Sequence, residues 1–165
     1  MAVHELALLV TYYGVSVETI AKVEADKAYS VCETRGKFTD FAKIGFTIKT
    51  KDGKSVTVRA DRCGSTTGGG SEAVVTVEGV EKFKSLTPEP ALQKHCDEMA
   101  KNDPDMMPYF VLQHDDYIKL KETATSHILS GAAGAPPGMA TIDIAVETLR
   151  VAEYLTPYLQ KALAK

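Results

Sequence analysis

Residues Phe38 to Asp61 read FTDFAKIGFTIKTKDGKSVTVRAD. Phe46 and Ile48 alternate with polar neighbours near the end of the first run, and Val56, Val58 and Ala60 alternate in the second. A period of two places such side chains on one face of a strand. Between the runs stands Lys51-Asp52-Gly53-Lys54. Asp-Gly is a strong hairpin signal, because the favoured tight turn needs positive φ at its centre. The spacing predicts an antiparallel hairpin with strands over 38–50 and 55–61.

Upstream, His4 to Tyr13 (HELALLVTYY) is apolar almost all round and ends at Gly14. This predicts a buried helix over 4–14. Val15 to Tyr29 carries Val15, Val17, Ile20 and Val23 among polar residues, a strand signal. Downstream, Cys63 to Ser71 (CGSTTGGGS) reads as a loop. Ala73 to Val80 reads as a strand, and Glu81 to Ser85 continues it after a turn at Gly79. No long helix separates these strands, so they are expected to pair antiparallel.

The second half changes period. Pro90 to Lys101 reads as a helix ended by Asn102-Asp103-Pro104, while Met106 to Gln113 is ambiguous. Tyr117, Leu120, Ala124 and Ile128 predict a helix over 115–130, and Gly131 to Gly138 (GAAGAPPG) a loop. Ile142, Ala145, Val146, Leu149, Ala152, Leu155, Leu159 and Ala162 form one apolar stripe of a long helix over 141–162. Pro157 is expected to kink or split that helix, with Thr156 as a fresh N-cap. The expected fold is a single α+β domain over 1–165. It has an open, mainly antiparallel sheet of about five or six strands, with helices packed on one face in two layers. The last helix should lie against the first. The other sheet face is left for an interface, to which Cys32, Cys63, Val56, Val58 and Ala60 lie close enough to contribute.

Composition sets the class. The chain has 165 residues, 44% hydrophobic and 25% charged, which excludes disordered and low-complexity classes. A net charge of -3 gives no basic excess for a nucleic-acid partner. No apolar run approaches the roughly 18 residues of a membrane span. Leu6 to Tyr13 follows His4 and Glu5 rather than a basic segment, so it does not read as a signal peptide. The 3 cysteines, Cys32, Cys63 and Cys96, lack the short spacings of a zinc site or disulfide framework, and a reducing cytoplasm is the expectation.

Few residues declare chemistry by themselves. His4, by its local sequence, reads first as a helix-start residue with no role and only second as a site. His114-Asp115-Asp116 could bind a metal or move protons, but acidic residues at a helix start are also explained by capping and the macrodipole. His95 and Cys96 read as helix-surface residues, and His127 as a helix-surface or partly buried one. Gly68-Gly69-Gly70 could cradle an anion. It lacks the lysine and the strand–loop–helix setting of a phosphate loop, and no GxGxxG follows a strand.

The two ends of the chain carry a resemblance. VHELALLVTYYG at the front resembles the start of the second domain of the glucose–fructose oxidoreductase / inositol dehydrogenase (Gfo/Idh/MocA) family, with His4 matching the family's histidine. SHILSGAAGAPPGMATIDIAVETLRVAEYL resembles the family's closing pattern of helix, small-residue loop, proline and long helix. Ala2 stands where the family has glycine, and Ala7 where many members have aspartate. The family's N-terminal Rossmann domain and active-site lysine have no counterpart here, so the chain resembles the C-terminal domain alone.

The resemblance implies a parent enzyme that moves a hydride between NAD or NADP and a sugar, polyol or related small molecule. It implies that His4 shares the proton transfer, and that this domain shapes the substrate pocket and builds a homo-oligomer through the open sheet face. Tyr109, His114, Asp115 and Lys119 are candidates to hydrogen-bond the substrate. No cofactor and no metal is expected on this chain alone, which should be inactive without its partner domain. The rival expectation is a stand-alone ligand-binding or oligomerisation module. A metal-dependent hydrolase built on His114 and Asp115 is the third.

Overall fold

The computed structural model describes residues 2–35, 38–61, 71–87, 90–103 and 114–163. Helix α1 (Val3–Tyr13) is followed by six strands: β1 (Ile20–Ala25), β2 (Val31–Arg35), β3 (Phe38–Thr50), β4 (Ser55–Asp61), β5 (Ser71–Val77) and β6 (Val80–Thr87). Three helices follow among the described residues: α2 (Pro90–Asn102), α3 (His114–Leu129) and α4 (Ile142–Leu163). The fold is α+β, with one open antiparallel sheet in the order β1-β3-β4-β5-β6. β2 lies off this path and pairs with β3.

Two compact units divide the chain. The first holds Met1–Leu86 with Ile142–Lys165, which is the sheet with α1 and α4; the second holds Thr87–Thr141 with α2 and α3. No helix among the described residues is long and apolar enough to cross a membrane.

The expected hairpin forms with the expected strand bounds. Phe46 pairs with Val58 and Ile48 with Val56. β3 is 13 residues long, enough to take two partners on one edge: β1 pairs along Phe46–Thr50 and β2 along Phe38–Lys43. β2 was not among the expected strands. Of the stretch 15–29, only Ile20–Ala25 is strand. Ser16 and Thr19 hold the backbone before it in a turn, each side-chain oxygen accepting the other's backbone N–H, at 2.8 and 3.2 Å. Such side chains offer the backbone an alternative to a ladder.

The core lies between the sheet and the α1–α4 pair. Ile44, Phe46, Ile48, Val56, Val58, Ala60, Ala73 and Val75 bury one sheet face against Leu6 and Leu9 of α1 and Val151, Ala152, Leu155 and Leu159 of α4. α1 and α4 pack against each other, as expected. α1 closes at Gly14, whose φ of 65° is the left-handed form that glycine adopts at least cost. The Val15 N–H then returns to the Leu9 carbonyl at 3.2 Å.

Four expectations need correction. Val56, Val58 and Ala60 face the helices and are buried, so they do not contribute to the open face. Half-buried Cys32 packs against the same core. α1 is not buried all round, because only one side meets α4 and the sheet: Glu5 is fully buried while Tyr12 is 67% exposed. The α4 stripe is buried only in part: Ile142, Val146 and Leu149 stand in the open, while Thr148 and Val151 are buried in their place. Nor is α4 split at Pro157; the helix runs through it, and the Thr156 hydroxyl donates back to the Ala152 carbonyl at 2.7 Å instead of capping a new helix.

Candidate functional site

His4 occupies the exposed first turn of α1, beside the buried Glu5. Its unit presents a second polar feature on the sheet face turned away from the helices. The strand registers set Lys43, Thr47 and Lys49 of β3 in line with Asp61, Thr57 and Ser55 of β4. Glu24 and Lys22 of β1 continue two of these rows, and Glu72 and Thr76 of β5 extend them on the far side. The face is therefore charged and hydroxyl-rich. Glu24 lies 2.6 Å from Lys22 and 3.6 Å from Lys49, Glu72 lies 3.6 Å from Lys84, and the Thr47 and Thr57 hydroxyls are 2.9 Å apart.

At the centre of this face the β1–β2 turn, residues 26–30, folds back over Gly45. The Asp26 N–H donates to the Gly45 carbonyl at 2.8 Å, and the Gly45 N–H donates to the Ser30 hydroxyl at 2.9 Å. The Asp26 carboxylate accepts the Tyr29 N–H at 3.1 Å and the Arg59 guanidinium at 2.8 Å. The Tyr29 ring rests on the glycine, with the Lys43 ammonium 4.3 Å and the Arg59 guanidinium 5.3 Å from its centroid. Cations over a phenol ring are attracted by its quadrupole. Burial, and then the nearby charges of Asp61 and Glu72, push the Tyr29 phenol above its ordinary value, so it stays protonated as a donor. Nothing in the local sequence marked this cluster; it exists because β3 and β4 bring Lys43, Gly45 and Arg59 beneath a distant turn.

A groove of about 330 Å³ opens at the end of α4, lined by Val23, Ala25, Tyr158, Leu159, Lys161 and Ala162. Beside it, the Tyr158 ring lies 5.2 Å from that of Tyr154. Their hydrogen bond, and then burial, raise the Tyr154 phenol above its usual range.

The remaining site residues belong to the second unit. His114 and Asp115 open α3, and Lys119 is exposed one turn later. The side chains of His114 and Asp115, and all of Tyr109, lie outside the described residues. So do Cys63 and Gly68–Gly70, the residues 62–70, and the ambiguous stretch up to Gln113. His127 is half-buried, with Nε2 3.1 Å from the Gly134 carbonyl, which ties α3 to the loop after it. His95 is exposed on α2, as a surface residue would be.

Among the described residues no strand passes through a glycine turn into a helix. No described residue therefore fits the pyrophosphate of a dinucleotide, which needs backbone N–H groups at such a helix start. Nor do three His, Cys, Asp or Glu side chains come together there as a metal site. No family model, curated protein or solved structure matches the chain.

Proposed function

We propose that this chain forms the substrate-shaping and assembly domain of a cytoplasmic oxidoreductase similar to the glucose–fructose oxidoreductase / inositol dehydrogenase family. The reaction would be hydride transfer between NAD or NADP and the carbinol carbon of a sugar or polyol. The observation that carries this reading is the pairing of the first and last helices on one face of an open antiparallel sheet, with His4 exposed at the front of α1. That is the arrangement implied by the resemblance at the two ends of the chain.

The nucleotide supplies the hydride acceptor, and its site belongs to the partner Rossmann domain. The task left to His4 is a proton. An exposed imidazole nitrogen can take the substrate's hydroxyl proton and return it. Tyr109, His114, Asp115 and Lys119 would hold the other hydroxyls. Assembly would use the open sheet face. Since that face is charged and hydroxyl-rich, its contacts would be ion pairs and hydrogen bonds around Tyr29 rather than an apolar seam.

Steady-state kinetics of the intact oxidoreductase with a polyol panel tests this. His4→Ala should lower kcat by roughly 10²–10⁴-fold with little change in KM, since a proton-transfer partner acts mainly in the transition state. An intact protein that reduces neither NAD nor NADP with any polyol would overturn the reading.

A further inference from the structure

We draw no further inference here: the strongest candidate, the exposed apolar stripe of Ile142, Val146 and Leu149 along the front half of α4, carries none because nothing in the structure shows what covers it.

Discussion

Gly45 is the residue on which the open face depends. A Cβ added there would fall 2.9 Å from Tyr29 Cδ1 and 3.0 Å from Asp26 Cβ. Both belong to a turn clamped by its own hydrogen bonds, so it yields only by giving some of them up. Gly45→Ala should therefore destabilise the fold by roughly 1–3 kcal/mol, the range for overpacking. Urea melts of Gly45→Ala, Tyr29→Ala and the double variant check it: the double variant should recover part of the loss, and strictly additive losses would show that the ring is not the obstacle. Asp52 offers a second residue-scale test. Its carboxylate accepts from Lys54 and from the Thr50 hydroxyl, which holds it down at about 2. A folded-state value below the unfolded one, about 3.9, stabilises the fold at neutral pH. That contribution fades as pH falls through the interval and is gone below about 2. Asp52→Asn should make stability less dependent on pH between the two values, as read by denaturant midpoints across the acid range. An unchanged slope would contradict the contact.

At the scale of elements, the hairpin, α3 and α4 were legible from their periods, α1 from its apolar run ending at Gly14, and α2 from Pro90 and the Asn102-Asp103-Pro104 stop. β2 was not. Val31 to Arg35 holds little alternation, and what makes it a strand is the free first half of β3. Alternation also failed to say which way Val56, Val58 and Ala60 point. A period of two says that side chains share a face, and only the distant α1 and α4 decide that this face is the buried one. Pro157 misled for a related reason. Proline costs roughly 3 kcal/mol in a helix interior, yet Leu155 and Leu159 on either side are buried in the core and hold the helix in place. Pro157→Ala restores an N–H for the Glu153 carbonyl without disturbing that packing. It should raise the thermal midpoint; a lower one would mean that the proline ring itself contributes packing. The candidate site was the least legible part. His4 was singled out only by the resemblance at the front of the chain, whereas Tyr29, Lys43 and Arg59 meet only through tertiary register.

Over the whole molecule, the sheet unit has two sides with separate tasks. One is sealed by α1 and α4 and carries the core. The other carries partly exposed ion pairs, each of which contributes little stability by itself. Arg150 adds a tie within the sealed side, reaching Glu147 and Glu18 at 2.7 Å each, while the Glu147 carboxylate also accepts the Val17 N–H at 3.1 Å. This joins α4 to the connection that follows α1. The account stands on His4 meeting a polyol. The measurement that tests it most directly is an NMR titration of the isotope-labelled chain with inositols and sugars, and separately with NAD and NADP. The account predicts that polyols shift the His4 ring and the first turn of α1, and that neither nucleotide binds. Micromolar binding of a nucleotide, or polyol titrations that leave His4 unmoved, would contradict it.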